Sequence, residues 1–387
     1  MGQISDYAIA TLGSHTALQI LKGAKDEGFK TICVCQKDQA RVYESYGVAD
    51  QLIVIDSYDQ YFDVEQQLLD QKAIMIPHGS FVSYLGWERV QDIEVMHYGS
   101  KGILEWESDR VKEREWLKAA GLKLPRIFKT PEEIDCPVII KFHGAKGGKG
   151  YFIANTTEEF YERIKDYPGE EGYVIQEYIV GVPIYSHFFY SPINDELEIM
   201  SFDKRYESNA DSIGRIASKD QLDANIRTSY TITGNIPIVI RESLLPKVFE
   251  MGDNVIRESR KLTNFKDGKP LTKGLYGSFC LEAIVDPELN FNVFEISARI
   301  VAGTNPYTNG SPYTWLRYNE PMSTGRRIAR DIKQAIESDR LEEVLGGLSY
   351  NSSSHRLHSL RSLQIVICRI IGLIPRTLCQ LSLINIF

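Results

Sequence analysis

The sequence predicts a mixed protein, with an α/β part at the N-terminus and a larger α+β part after it. Two successive strand–helix–strand patterns, over residues 7–36 and 48–80, predict the parallel α/β part. Residues 276–306 read instead as two strands joined by a tight turn, which is typical of an antiparallel sheet. The 387 residues are enough for two or three domains with sizeable cores.

The first strand–helix–strand unit ends its first strand at Gly13-Ser14-His15-Thr16. A helix follows directly, and the free N–H groups at a helix N-terminus favour an anion such as phosphate. Ser14 or Thr16 is expected to cap this helix. Because a cap does not need an imidazole, His15 is a candidate ligand contact, with a structural role as the alternative.

The second unit ends its last strand, AIMIP, at the segment HGSF. Open α/β sheets bind their ligands at the carboxyl ends of strands, so Ser80 is a candidate hydrogen-bond donor to the ligand of His15. An ordinary polar loop is an equally good interpretation of this segment.

The middle of the chain combines a strand lysine with a glycine-rich loop. Lys141 lies inside the apolar strand PVIIKF, where a lysine is costly unless it meets an anion. The loop 143–150 follows, and its glycines and lysines, among them Lys146, suit a polyphosphate. It is not a Walker A loop, because Gly150 stands where Ser or Thr is required. A hairpin tip with solvated lysines is the alternative.

Two further segments carry candidate nucleotide contacts. Residues 176–179, QEYI, occupy a bend between two predicted strands, where exposed backbone groups could pair with adenine while a carboxylate holds the ribose. The strand LEIMSFDKRYE brings Lys204, Arg205 and Glu207 to its end.

The hairpin of residues 276–306 places two acids together. If it is centred on the turn at 286–290, Glu282 lies directly opposite Glu295, at roughly 5 Å between Cβ atoms. Like charges there repel, and Mg²⁺ would resolve the repulsion while keeping waters and phosphates as its other ligands. Arg299 is the one cation further along the Glu295 face, and Phe294 is expected on the opposite, apolar face. Two solvent-exposed acids are the competing interpretation.

Composition and charge limit the kinds of partner that the protein is expected to bind. The net charge of −8 argues against a nucleic-acid coat or a polybasic membrane anchor. The six cysteines show no regular spacing that would indicate disulfide pairs, and the N-terminus carries no evident signal peptide. We therefore expect a cytoplasmic protein with small-molecule partners, without nucleic acid or membrane, and a homo-oligomer.

The strand lysine, the glycine-rich loop, the QEYI bend and the late acids ending in EISAR together resemble the ATP-grasp superfamily. Within it, LGSHTALQILKGAKDEGF, PHGSFVSYLG, TGNIPIVIRESLLP and FEISARIVAGTN resemble the archaeal PurP family of formate-dependent ligases of purine biosynthesis. The resemblance covers about residues 6–343. It implies a Rossmann-like pre-ATP-grasp domain over 1–105 and a two-lobed ATP-grasp domain over 106–345, with a flexible lobe at about 125–185.

The resemblance also implies a reaction. Formate would be joined to the amine of 5-aminoimidazole-4-carboxamide ribonucleotide (AICAR) to give the formamido product (FAICAR), through formyl phosphate, with ATP cleaved to ADP and phosphate. Its implied ribonucleotide ligands are His15, Ser80 and Asn235. Its implied ATP ligands are Arg110, Lys141, Lys146, Glu177, Tyr178, Ile179 and Glu207. Glu282 and Glu295 would bind Mg²⁺ or Mn²⁺, and Lys141 and Arg299 would act in catalysis.

Two positions depart from the superfamily pattern. Arg110 stands where many ATP-grasp enzymes have lysine, which keeps the charge but changes the geometry. Ser297 stands where many relatives have a metal-binding asparagine, so we do not count it as a ligand. For Arg299, a salt bridge to Glu295 is as good an interpretation as a contact with the departing phosphate.

Two other functions compete with this one: another ATP-grasp carboxylate–amine ligase, and a nucleotide-binding sensor without catalysis. The segment 346–387 is a separate question, because no Asp or Glu follows Glu343. We expect an out-of-frame or read-through extension there, with an amphipathic membrane-surface helix as the alternative. Truncation after Leu345 distinguishes the two through folding and activity.

Overall fold

The computed structural model describes residues 2–142, 151–167, 172–226, 229–266, 268–271 and 273–346. The glycine-rich loop 143–150, with Lys146, and the segment 347–387 lie outside these ranges. Within them, no helix combines the length and apolar character that a membrane span requires.

The N-terminal sheet is parallel, as predicted, with strand order β3-β2-β1-β4-β5. Its strands are β1 (Ala8–Leu12), β2 (Lys30–Gln36), β3 (Gln51–Ile55), β4 (Ala73–Met75) and β5 (Met96–His97). The helices of this part are α1 (Ala17–Asp26), α2 (Ala40–Tyr46), α3 (Tyr61–Leu69), α4 (Phe81–Leu85) and α5 (Trp87–Asp92). Apolar strands and helix faces bury each other, and Cys33 and Cys35 belong to this core. Since β1 and β4 are neighbours, the loops at their carboxyl ends adjoin.

A four-stranded antiparallel sheet follows, in the order β6-β9-β7-β8. Two helices precede it, α6 (Lys101–Ser108) and α7 (Arg110–Ala119). Its strands are β6 (Ile127–Phe128), β7 (Val138–Phe142), β8 (Tyr151–Ala154) and β9 (Tyr173–Glu177), and α8 (Thr157–Arg163) packs on it. The sequence offers Ser108 or Asp109 as the cap of α7, and the structure uses Asp109, whose carboxylate accepts hydrogen bonds from the Val111 and Lys112 N–H groups.

The third sheet is antiparallel, in the order β12-β11-β10-β13-β14. Its strands are β10 (Val182–Ser191), β11 (Glu196–Glu207), β12 (Ile232–Ile238), β13 (Gly277–Val285) and β14 (Phe291–Ser297). The remaining helices are α9 (Ala210–Ile213), α10 (Ser218–Asp223), α11 (Leu245–Ser259), α12 (Pro312–Tyr318) and α13 (Thr324–Glu337). One face of the sheet packs on α7 and α11 in a large apolar core. Part of the other face, with Phe189 and Met200, packs on α13.

The last helix, α13, packs directly against the first helix, α1. Helix α13 crosses α1 so closely that a Cβ on Gly23 would lie 2.2 Å from the Arg326 nitrogen. A Cβ on Gly325 would lie 2.4 Å from the Gln19 carbonyl oxygen. Further on, the Gly346 N–H donates to the His97 carbonyl at 2.8 Å. The described C-terminal segment is thus anchored on the edge of the N-terminal sheet.

Candidate active site

A cavity of about 610 Å³ opens between the second and third sheets and the loops of the first. His15 and Gly79 line it from the N-terminal loops, Lys141 from β7, and residues 176–181 from the bend between β9 and β10. Side chains of the third sheet, among them Tyr185, Arg205 and Glu282, form its floor. Of the predicted site residues, the cavity collects His15, Arg110, Lys141, Glu177, Tyr178, Ile179, Glu207, Glu282, Glu295 and Arg299.

The two acids of the hairpin meet as predicted. The Asp286 N–H donates to the Asn290 carbonyl at 3.0 Å across the turn, and Glu282 pairs with Glu295 in register. The next pair is Ala283 with Val293, so β14 carries one extra residue at this point. Such a β-bulge turns two successive side chains toward the same side. The expectation that Phe294 faces away is therefore wrong, because Phe294 lines the cavity beside Glu295.

The cation next to Glu282 comes from a different strand than expected. Arg205 of β11 brings its Nη2 to 3.5 Å from Glu282 Oε1, and the Ser297 hydroxyl donates to the same oxygen at 3.3 Å. Burial and the charge of Glu295 raise the pKa of Glu282 to about 7, although Arg205 opposes the rise. Two carboxylates held together against their repulsion fit a hard divalent cation that takes its other ligands from water and phosphate. Within the described residues, no three His, Cys, Asp or Glu side chains form a cluster, so a larger all-protein cage is absent there.

Arg299 has a partner that the sequence did not suggest. Its Nη2 lies 2.7 Å from Glu107 Oε1 on α6, and the second Glu107 oxygen accepts from the Ala298 N–H at 3.0 Å. The alternative salt bridge to Glu295 is therefore wrong. Arg299 Nε and Nη1 are buried and have no hydrogen-bond partner among the described residues, and the side chain lines the cavity.

His15 sits in strained backbone at the end of β1. Ser14 and His15 have φ values of 92° and 54°, a left-handed region that non-glycine residues rarely adopt. Thr16 is the N-cap residue of α1, one of the two predicted candidates, but its side chain makes no capping hydrogen bond. The Ser14 hydroxyl instead pairs with the Tyr84 hydroxyl at 2.8 Å. Strain of this kind, at a site facing a cavity, is typical of functional loops.

The imidazole of His15 stacks on His78, with ring centroids 5.5 Å apart. His78 is buried, donates from Nε2 to the Leu12 carbonyl at 3.0 Å, and accepts the Ser80 N–H on Nδ1 at 3.1 Å. Burial, His78 and the nearby Arg299 and Arg205 charges lower the pKa of His15 to about 3, so its imidazole is neutral at pH 7. Ser80 itself is not part of the cavity lining, whereas its neighbour Gly79 is.

The opposite end of the cavity carries the predicted nucleotide residues. Lys141 lies 5.4 Å over the Phe294 ring, and burial lowers its pKa although Glu295 opposes the change. Glu177 accepts the Arg126 N–H at 3.0 Å, and the Tyr178 hydroxyl pairs with Tyr230 at 2.8 Å. The Glu207 carboxyl has a raised pKa because of burial and the charge of Asp211. Lys146 falls outside the described residues.

Asn235 is held by a buried network beside the cavity rather than in its lining. Its Nδ2 donates to Asp203 Oδ2 at 2.8 Å, while Asp203 Oδ1 lies 2.7 Å from His187 Nε2. From the sequence, Asp203 was not singled out, and Arg205 was noted only as a charge near the end of its strand, without a role. The available signal was the alternation of Asp203, Arg205 and Glu207 along β11, which puts three charged side chains on one face.

Comparison with known proteins identifies the family. Residues 9–128 match a family described as a protein of unknown function (DUF1246), and residues 159–346 match a domain of unknown function (DUF1297). A Pyrococcus abyssi protein named 5-formaminoimidazole-4-carboxamide-1-(beta)-D-ribofuranosyl 5'-monophosphate synthetase is 52% identical over 343 residues, 87% of this chain and 98% of the relative. The chain belongs to this synthetase family.

Solved structures agree with the family assignment. The crystal structure of the IMP biosynthesis protein PurP from Thermococcus kodakaraensis has a TM-score of 0.70 and 31% identity, and the match covers 87% of this chain and 99% of that one. The ADP complex of purK, an N5-carboxyaminoimidazole ribonucleotide synthetase, has a TM-score of 0.59 at 15% identity, covering 84% and 76% of the two chains. The second likeness concerns the fold alone, and it agrees with the predicted mixed α/β and α+β architecture.

Proposed function

We propose that the chain is an ATP-dependent ligase that joins formate to the amine of 5-aminoimidazole-4-carboxamide ribonucleotide, giving the formamido ribonucleotide, ADP and phosphate. The observation that carries the proposal is the Glu282–Glu295 pair inside a cavity that also holds Lys141 and Arg299. The name of the 52% identical synthetase supports the choice of product.

The chemistry proceeds in two steps. A formate oxygen attacks the γ-phosphorus of ATP, the bond to the β,γ-bridging oxygen breaks, and ADP and formyl phosphate form. The ribonucleotide amine then attacks the formyl carbon, the bond to the phosphate oxygen breaks, and the amine proton passes to phosphate or solvent. Formate is a poor acceptor before phosphorylation, because its carboxylate resists attack.

The residues divide between the two ends of the cavity. Glu282 and Glu295 would hold Mg²⁺ or Mn²⁺, which supplies charge stabilisation for the triphosphate. Lys141 and Arg110 would bind the phosphates, and the bend at 176–179 the adenosine. Arg299 is fixed by Glu107, lines the cavity and has two N–H groups without partners among the described residues, which suits it to the transferred phosphoryl group.

The ribonucleotide belongs at the His15 end in this proposal. A neutral imidazole in a loop at the carboxyl end of β1 can hydrogen-bond the substrate without competing for the metal. Gly79 leaves room for the imidazole, because a Cβ at this position would lie 2.3 Å from His15 Nε2. Asn235 is oriented by Asp203 beside the cavity lining, and in this proposal it is a third substrate ligand, as the resemblance implies.

The test is phosphate release from ATP, measured with and without formate and the ribonucleotide in the presence of Mg²⁺. Turnover that requires both substrates is the expected result. Turnover with a different carboxylic acid would instead assign another ATP-grasp ligase activity. Tight ATP binding without turnover would assign a nucleotide sensor, and either outcome rejects the proposal.

A further inference from the structure

Arg205 is a buried cation in the floor of the cavity, and no role has been given to it so far. Only 6% of the residue is exposed, and its guanidinium lies 4.1 Å over the Tyr185 ring. Nη2 is 3.5 Å from Glu282, and Nε is 3.8 Å from Asp203 Oδ2. Nε has no hydrogen-bond partner among the described residues. A buried N–H donor without a partner is costly, and the Arg205 side chain also lines the cavity, so it is a candidate for binding an acceptor there.

The strand register puts Arg205 between the two ends of the site. On one side it pairs with Asn235 of β12, the residue proposed for the ribonucleotide. On the other side it reaches Glu282, which β13 presents opposite Glu295. Formate must occupy this junction, because one of its oxygens meets the γ-phosphorus and its carbon then meets the amine.

The two acidic neighbours of Arg205, Asp203 and Glu282, each have another partner as well. Asp203 already accepts hydrogen bonds from Asn235 and lies against His187. Glu282 faces Glu295 in register, and the two would be the ligands of a divalent metal. Nε of Arg205 has no partner in the described part of the chain, and the same cavity is lined by a second arginine, Arg299, whose Nε and Nη1 also lack partners there. Such a pair of donor groups suits a small carboxylate or acyl phosphate.

We propose that Arg205 binds the carboxylate of formate and then the formyl phosphate made from it. The planar guanidinium offers N–H donors at the spacing of carboxylate oxygens, and its stacking on Tyr185 limits the entropy lost on binding. The proposal rests on the formate ligase activity proposed above, and it adds a substrate subsite between the metal pair and the ribonucleotide.

The test compares Arg205→Gln and Arg205→Lys with the wild-type chain, varying formate, ribonucleotide and Mg²⁺ one at a time while ADP is measured. Arg257→Gln is the matched control, since Arg257 lies exposed on α11, donates a hydrogen bond to Asn254 and is absent from the cavity lining. Arg205→Gln should raise the apparent KM for formate roughly 10- to 100-fold, the loss expected for charge-assisted hydrogen bonds. Arg205→Lys keeps the charge but loses the planar donors, and should fall between Gln and wild type. The control should match wild type.

Guanidinium ion added to Arg205→Ala provides a second readout, because a group that contacts substrate can be partly replaced from solution and a structural one cannot. Recovery of formate-dependent turnover at guanidinium concentrations that leave wild type unaffected is expected. The proposal is overturned if the formate KM does not move, or if the KM for ribonucleotide or Mg²⁺ rises as much. If Arg205→Gln does not fold, Arg205→Lys carries the same comparison. A wild-type chain that needs no formate would reject the ligase activity itself, before any variant is made.

Discussion

The Glu107–Arg299 pair allows a quantitative test of how the cavity wall is held. Both side chains are largely buried, at 10% and 13% exposure, and their charged atoms lie 2.7 Å apart. Removing one partner leaves the other charge buried and uncompensated, which typically costs about 3–5 kcal/mol of unfolding free energy. A domain is stabilised by only about 5–15 kcal/mol, so Glu107→Ala should be strongly destabilised but still folded.

A double-mutant cycle separates the ion pair from simple loss of packing. We expect Glu107→Met and Arg299→Met each to lower the free energy of unfolding, and the double variant to lose less than the sum of the two. Urea unfolding followed by tryptophan fluorescence measures all four chains. The control is Asp135→Asn in the exposed Arg126–Asp135 pair, also 2.7 Å long, which should leave the midpoint unchanged. Strictly additive losses would refute the view that Glu107 is the counter-ion of Arg299.

Three further predictions address the site. Glu295→Gln should abolish ATP turnover while calorimetry shows ribonucleotide binding near wild type, and unchanged Mg²⁺-dependent turnover would rule out the metal role. His15→Ala should raise the KM for the ribonucleotide more than that for ATP, and equal effects would remove His15 from the substrate pocket. Gly79→Ala should weaken ribonucleotide binding by pushing on the imidazole, whereas Gly214→Ala, with no atom within 4 Å of its added Cβ, should bind as wild type does.

Local patterns predicted the elements that carry the site. Turn formers at 286–290 and the period-2 alternation of the flanking strands were enough to place Glu282 opposite Glu295. The bulge beside them was not predictable in the same way, because one additional residue in a strand leaves the alternation intact on either side. The incorrect prediction concerned Phe294. The alternation assigned it to the apolar face, but in the structure its ring lies under the Lys141 ammonium group.

Contacts between distant segments were the part that sequence patterns could not supply. Glu107 and Asp109 are close in the chain, and only Asp109 gave a local signal, as a helix cap. Glu107 acquires its role from β14, which packs beside the same helices much later in the chain. Likewise, Arg205 on β11 reaches Glu282 on β13 across the intervening strand β10, where the guanidinium lies over the Tyr185 ring.

The identity of these counter-ions bears directly on the chemistry. A salt bridge from Arg299 to Glu295, the partner that local sequence suggested, would tie up a carboxylate that a divalent cation needs. Because Glu107 binds the guanidinium instead, Glu295 is left facing Glu282, whose pKa is raised by burial and by the charge of Glu295. Arg299 is held by Glu107, whereas the metal would be held by the two hairpin acids, so Glu107 variants should lose stability and Glu295 variants should lose metal-dependent turnover.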